Sequence, residues 1–169
     1  MSARSTNLNI RGADILLPTV RPCIIEDNNK LHGLLNNREL LDDLMPGVCA
    51  HLAHEASIAF WKNELASQDS LQFVVCKEAS IVGAARIEKG ELAYFIDRQH
   101  RGEGLATLLI SFICCEFLSR NKKHSILALI HRSNVASIRA VERCGFIFRG
   151  ISYIYRDSGV IEYRLRNPG

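Results

Sequence analysis

The six cysteines of this sequence (Cys23, Cys49, Cys76, Cys114, Cys115 and Cys144) include no C-x-x-C pair. That absence excludes a zinc-ribbon spacing, and scattered single thiols in a chain of 169 residues do not read as a disulfide framework. Free, buried thiols are the expectation. Cys114 and Cys115 are adjacent, so on a helix they point about 100° apart and cannot serve one ligand. Among the six histidines, His51 and His54 have a chelating spacing on an expected helix, but no third ligand accompanies them and no metal is expected.

Long apolar runs are also missing. Residues 105–118 form the most apolar stretch, yet Thr107, Ser111 and Glu116 interrupt it and it is too short to span a bilayer. The opening MSARSTNLNIRG has no apolar core of signal-peptide type. The expectation is a soluble, cytoplasmic protein with no membrane partner. Charge of one sign is lacking too: the net charge is +3 with 23% charged residues, which excludes a disordered chain and a strongly basic nucleic-acid binder. The basic clusters RQHRG, SRNKKH and HRSN carry no interleaved aromatics, so no specific nucleic-acid partner is expected. No repeat, linker or low-complexity tract divides the chain. It reads as one domain over residues 1–169, with 1–12 flexible.

What is present is a 47% hydrophobic composition, enough for one substantial core. Residues 15–23 read as a first strand, limited by Pro18 and Pro22. Glu26 and Asp27 open a helix to about residue 35, and further helices are expected over 38–44 and 51–67. After Asp69 the texture turns to strands at 71–76, 81–87 and 91–97. A helix over 103–120 carries Leu105, Leu108, Leu109, Phe112 and Cys115 as its inward stripe. Residues 125–131 are a continuous apolar strand of the kind buried on both faces. Asn134 caps a second helix with Val135, Ile138 and Val141 inward and Gly145 as its stop. Residues 146–155 and 160–165 form a hairpin about the RDSG turn. Strand 91–97, helix 103–120 and strand 125–131 make a βαβ crossover, hence a mixed α/β sheet with one parallel pair and helices on both faces.

Ligands of such sheets enter beyond the carboxyl ends of the parallel strands, where "DRQHRGEGLATLL" (residues 97–109) lies. Two glycines one residue apart at a helix start have two readings. They give the turn flexibility, or they clear side chains from backbone N–H groups that the helix leaves unpaired and that its dipole makes attractive to phosphate. A lone G-x-G does not decide between them, and the absence of G-x-x-x-x-G-K-[ST] disfavours nucleotide hydrolysis.

Gln99-His100-Arg101-Gly102-Glu103-Gly104 matches the Q/R-x-x-G-x-G/A signature of the GNAT acyltransferases, with Leu105-Ala106 behind it. Asn134 followed by SIRAVERCGF (residues 137–146) is similar to the second signature of that family, and RPCIIEDNNKL (residues 21–31) to its opening strand and helix. The chain therefore resembles the GNAT superfamily, strongly over about 81–165. Asn134 with Ser137, the lack of tyrosine at Val141, and AYFIDRQHRGEGLA resemble its ribosomal-protein N-acetyltransferase branch most.

The resemblance implies a single-domain GNAT fold, mostly antiparallel with a central parallel pair, and acetyl-CoA as acyl donor. It implies that the pyrophosphate lies on the amides of Arg101, Gly102, Glu103, Gly104, Leu105 and Ala106, with the Glu103 side chain turned outward. The pantetheine arm would pair with the backbone of Phe95, Ile96 and Asp97 where the parallel strands splay apart. The amide near Tyr94 would polarise the thioester carbonyl. Asn134 would contact the pantetheine or order water, compatibly with capping its helix, and Ser137 would hydrogen-bond the sulfur. Lysine and α-amines titrate above neutrality, so a base is useful. Two readings of Glu91 stand: the general base, acting through water from ~10 Å along the strand from Tyr94, or a solvated glutamate in a KGE turn. Tyr153 and Tyr155 alternate on a later strand and could replace the absent tyrosine acid, or simply pack.

The expected activity is acetyl transfer to a primary amine, of a protein N-terminus or a small molecule, by direct attack in a ternary complex. The alternative is a non-catalytic acyl-CoA-binding regulatory domain. The acceptor groove would draw on residues 24–66, whose acids Glu26, Asp27, Asp42, Asp43 and Glu55 either attract a cationic amine or form a solvated face. A homodimer, as in many relatives, is the assembly the resemblance implies.

Overall fold

Strand-forming runs of β-branched and aromatic residues between residues 70 and 96 build the centre of the molecule, and one face of each is dictated by alternation. The structure is a computed structural model that describes residues 7–10, 13–35, 70–120, 125–153 and 159–167. The helices expected at 38–44 and 51–67, with His51 and His54, lie outside those residues, as do Tyr155 and most of the RDSG turn.

Two short strands, β1 (Asn7–Ile10) and β2 (Ala13–Leu16), form a separate antiparallel pair. Strand β3 (Thr19–Pro22) follows, then a single 3-10 turn (Ile25–Asp27) and α1 (Asn28–Leu35). The strand expected over 15–23 is thus two strands in two sheets, broken at Leu17-Pro18, where proline supplies no N–H for a ladder. The entry to α1 is stapled by Asp27, whose carboxylate accepts from Arg21 Nη1 and Nη2 at 2.6 and 2.8 Å and from the Ile24 N–H at 2.9 Å.

Strands β4 (Ser70–Lys77), β5 (Ser80–Glu88) and β6 (Glu91–Ile96) form an antiparallel meander. Helix α2 (Leu105–Arg120) crosses to β7 (Ser125–His131), and α3 (Val135–Arg143) leads to β8 (Ile147–Ile151) and β9 (Val160–Arg166). The seven-stranded sheet runs β3-β4-β5-β6-β7-β9-β8, and β6 with β7 is its parallel pair. This is the mixed α/β sheet with a central parallel pair that the sequence predicts.

Alternation along β4 and β5 creates two cores. Phe73, Val75, Val82 and Ala85 face α2 and α3, whereas Val74, Cys76, Ile81 and Ala84 face Leu31 and Leu35 of α1, so helices cover both faces. Three expectations about facing are corrected. On α2 the buried residues are Leu105, Leu109, Ile110, Ile113, Cys114 and Phe117, while Leu108, Phe112 and Cys115 are exposed. A helix apolar on nearly every side offers overlapping stripes, and periodicity cannot choose between them. On α3, Val135 is exposed while Ala140 and Val141 are buried. Strand β7 buries Ile126, Ala128 and Ile130 on one face only, with Leu127 and Leu129 half-buried on the other. The end of α3 is as expected: Gly145 at φ +86°, with N–H bonds from Gly145 to Glu142 and from Phe146 to Val141, closes a Schellman motif.

Candidate functional site

The site begins where the parallel pair fails. β6 and β7 are paired only at Glu91↔Leu127 and Leu92↔Ala128, while β6 stays zipped to β5 as far as Ile96↔Gly83. From Ala93 onward the edge of β6 that faces β7 is therefore unpaired. The parity of that edge follows from two bonds: Leu127 N–H donates to Gly90 O, and Asp97 N–H donates to Val82 O on β5, both at 2.8 Å. Backbone groups alternate sides along a strand, so those of Tyr94 and Ile96 point into the gap and those of Phe95 and Asp97 point to β5. The expected backbone triplet 95–97 thus presents Ile96 to the gap, and Tyr94 joins it.

Gly83 explains how β5 lies so close to this end of β6. A Cβ on Gly83 would come within 2.6 Å of both the Phe95 carbonyl oxygen and Ile96 Cδ1. A glycine inside a strand pattern is the sequence signal for such close approach.

A cleft of about 750 Å³ occupies the gap. Of the residues singled out from sequence, it gathers Tyr94, Phe95, Ile96, Arg101, Gly102, Gly104, Leu105, Ala106, Asn134 and Ser137 along one surface. Asp97, Glu103 and Glu91 are not among its lining. Its floor is the turn between β6 and α2. There Arg98–His100 forms one 3-10 turn, Arg101 is extended, and Gly102 and Gly104 adopt φ +83° and +80°. Only glycine takes this left-handed conformation without cost. Among the described residues nothing beyond the adjoining chain lies within 4 Å of where a Cβ would stand on either glycine, and both glycines line the cleft. The first helical bond of α2 runs from Leu108 N–H to Gly104 O at 3.1 Å, which leaves the N–H groups of Leu105, Ala106 and Thr107 without intrahelical partners.

Side chains on the turn point two ways. Arg101 Nε donates to Ile96 O at 3.2 Å, joining the turn to the open edge of β6. Glu103 turns away from the cleft to Lys77 Nζ (2.8 Å) and His100 Nδ1 (3.3 Å), and these partners, Lys77 first, hold its carboxyl below the usual range.

The opposite wall is α3. Asn134 Oδ1 accepts from Ser137 N–H at 3.1 Å, the cap expected from sequence. The Tyr94 hydroxyl crosses the gap and donates to Ser137 O at 3.3 Å. Burial pushes its pKa up to about 12, so the phenol is protonated at neutral pH. That side-chain bridge was not foreseen, because only the register of the splayed strands brings Tyr94 to α3. The cleft also takes in Thr107, Ser133, Val135, Arg139 and Arg143, which sequence reasoning passed over.

Glu91 sits at the closed end of the pair, directly opposite Glu88 on β5. Its parity puts it on the face of Phe95 and α1, the far side of the sheet from Tyr94 and Ser137. Burial, and then the neighbouring Glu88, raise its pKa. Glu88 in turn is ion-paired with the buried Arg86 at 2.8 Å. Tyr153 is exposed and lies outside the cleft lining. Among the described residues no cluster of His, Cys, Asp and Glu is grouped to hold a metal, and no helix is long and apolar enough to cross a membrane.

The sequence model of the acetyltransferase (GNAT) domain matches residues 19–147. No curated protein sequence matches the chain. Among solved structures, the spermidine N-acetyltransferase of Vibrio cholerae in complex with CoA and spermine is similar at 18% identity, with 89% of this chain and 95% of that one covered and a TM-score of 0.66. A GNAT-family acetyltransferase from Streptococcus pneumoniae is similar at 17% identity, 88% and 98% coverage and a TM-score of 0.68. An aminoglycoside acetyltransferase in complex with coenzyme A and kanamycin is similar at 16% identity, 89% and 95% coverage and a TM-score of 0.64.

Proposed function

The chain belongs to the GNAT acetyltransferase family, and from that premise we propose that it moves an acetyl group from acetyl-CoA to a primary amine within a ternary complex. The observation that carries this reading is the convergence on one cleft of two sets of backbone groups: the edge of β6 at Tyr94 and Ile96, which β7 leaves without strand pairing, and the first-turn amides of α2, which have no intrahelical partners. The residues fit an acyl carrier with a phosphate end and an extended arm. The turn is a concave cradle with two Cβ-free positions open to the cleft, and the strand edge wants a β-like partner.

When bound, acetyl-CoA supplies the thioester whose acyl group is transferred. The amides of Gly102, Glu103, Gly104, Leu105 and Ala106 hold the pyrophosphate, aided by the positive end of α2; the Arg101 N–H, expected among them, instead donates to Arg98 O at 3.3 Å and closes the 3-10 turn. The backbone of Ile96, flanked by Phe95 and Asp97, orients the arm by strand addition. The Tyr94 amide donates to the acyl carbonyl oxygen where negative charge develops during attack. Ser137 donates a hydrogen bond to the departing sulfur, and Asn134 fixes Ser137 through the cap. Glu91, on the opposite face, takes the proton of the incoming ammonium through water, and its raised pKa brings it closer to neutral pH.

The acceptor is a primary amine of a small molecule or a protein N-terminus. The similar enzymes act on spermidine or aminoglycosides, both amine-rich cations. The ribosomal-protein branch, from the residues around Asn134 and Ser137, would instead favour a protein N-terminus. A second reading, a regulatory domain that binds acyl-CoA without catalysis, is favoured by one observation. Val141, wholly buried, stands where many relatives carry a tyrosine acid.

Calorimetric titration with acetyl-CoA, followed by thiol release across polyamines, aminoglycosides and N-terminal peptides, tests these readings. Binding with turnover on one acceptor class supports the enzyme and identifies that class. Tight binding without turnover on any of them favours the regulatory domain. No binding rejects both.

A further inference from the structure

The backbone cradle leaves the basic character of the cleft unexplained. His100, Arg101, Arg139 and Arg143 line it, and among the described residues no Asp or Glu does. Arg101 is tied to the Ile96 carbonyl. Arg139 and Arg143 belong to α3, are exposed, and meet no carboxylate among the described residues. Glu142, the acid beside them in sequence, accepts instead from the Tyr163 hydroxyl at 3.0 Å.

Arginines four apart lie on one helix face, where like charges repel. The favourable arrangement occurs elsewhere in this chain, where Arg120 reaches back to Glu116. A cation in the last helical turn interacts well with the helix dipole, which accounts for Arg143 but not for Arg139 in the preceding turn. An uncompensated pair facing a cleft is suited to an anion carrying more than one charge.

Helix α3 also runs along the cleft in a definite direction. Its first turn holds Asn134 and Ser137 beside the open edge of β6. Its far end packs on α2, where Cys144 Sγ lies 3.6 Å from Thr107 O and 3.4 Å from Ser111 Oγ. The arginines are therefore at the phosphate end, across from the glycine turn, and the turn's amides already serve a pyrophosphate. The phosphate left over in coenzyme A is the ribose 3′-phosphate, a dianion suited to a pair of guanidinium groups.

Resting on the acetyl-CoA reading above, we propose that Arg139 and Arg143 form a side-chain phosphate site, separate from the amide cradle, that takes the 3′-phosphate and makes the protein select coenzyme A over its dephospho form.

The test is equilibrium binding of coenzyme A and of dephospho-coenzyme A to the full chain, as wild type, R139Q/R143Q and R139K/R143K. The wild type is expected to prefer coenzyme A by ~10-fold or more at low salt. In R139Q/R143Q that preference collapses to within ~2-fold while affinity for the dephospho ligand is unchanged, and R139K/R143K, keeping the charge, retains most of it. Added salt erodes the wild-type preference, as for any exposed ion pairing. Binding of both ligands without preference in the wild type overturns the proposal and leaves the acetyl-CoA reading intact. So does a glutamine variant that loses both ligands equally, since the arginines would then hold the pyrophosphate. A wild type that binds neither ligand overturns the acetyl-CoA reading itself and the proposal with it. The lysine variant and thermal melts of each protein separate lost recognition from lost folding.

Discussion

The two walls of the cleft are made of different material. On one side the edge of β6 and the turn before α2 offer backbone amides, whose direction is set by register and by two positive φ angles. On the other side α3 offers side chains: Asn134, Ser137, Arg139 and Arg143. Backbone groups cannot be deleted by substitution, only re-aimed, so the first wall responds to changes of conformation. The second responds to changes of chemistry. The difference predicts which substitutions are severe and which are graded.

The largest effect is expected on the backbone wall. A Cβ at Gly104 meets nothing within 4 Å among the described residues, so Gly104→Val has room, but a β-branched residue is strained at φ +80°. Relief of that strain turns the amides away from the cleft. Losing one or two hydrogen bonds to charged phosphate should weaken coenzyme A binding ~100-fold or more, while the melting temperature falls by only a few degrees. Titration calorimetry beside a thermal melt checks this, and unchanged affinity would remove the turn from the phosphate site.

Next comes a chemical change remote from both walls. Glu91→Gln should lower kcat by about 100-fold with little change in coenzyme A affinity. The pH profile carries the sign. A glutamate with a raised pKa is an effective base only once deprotonated, so wild-type kcat rises with pH through that ionisation and the variant loses this limb. An unaltered rate and profile would return Glu91 to its other reading, a solvated turn residue.

The same contrast governs how much could be read in advance. The turn was legible because a demand for φ > 0 is written directly as Gly102 and Gly104, and Asn134 because capping demands a short polar side chain. The sheet was legible from the alternation in β4, β5 and β6. Facing on α2 was not, because Leu108 and Phe112 are as apolar as the buried Leu109 and Ile113. Nor was the Tyr94 bridge to Ser137, which needs the splay of β6 from β7 to be known first. Arg139 and Arg143 resemble any surface arginines until the cleft is seen to have no acid among its described lining residues. Gly83 could have been found, since an isolated glycine within a strand signals close approach, but which strand comes close is a fact of register.

Away from the cleft, the Arg21–Asp27 staple gives a smaller, pH-dependent effect. Hydrogen bonds from Arg21, above all, hold the Asp27 carboxyl below its ordinary value. A carboxylate with a depressed folded-state pKa contributes its stability above the unfolded value and loses it as pH falls through the folded one. The contribution is therefore present at neutral pH and lost progressively below about pH 4. Asp27→Asn should cost about 1–3 kcal/mol at pH 7 and narrow the acid dependence of unfolding. Denaturant melts at pH 7 and pH 3 measure both, and equal destabilisation at the two pH values would show that the staple works without its charge.

The smallest effect isolates conformation from function in a third glycine. Gly33 lies within α1, with no positive φ and, among the described residues, with nothing within 4 Å of its would-be Cβ, as at Gly102 and Gly104. Here an added methyl meets neither strain nor a neighbour, and it removes the backbone freedom that glycine brings to the unfolded chain. Gly33→Ala should therefore stabilise the protein by about 0.5–1 kcal/mol in denaturant melts and leave coenzyme A affinity untouched. A glycine with room around it is thus not informative in itself. At Gly33 the room is incidental, whereas at Gly102 and Gly104 it coincides with a left-handed backbone and unpaired amides. A loss of coenzyme A affinity in Gly33→Ala would break that distinction, because α1 would then have to communicate with the cleft through the sheet.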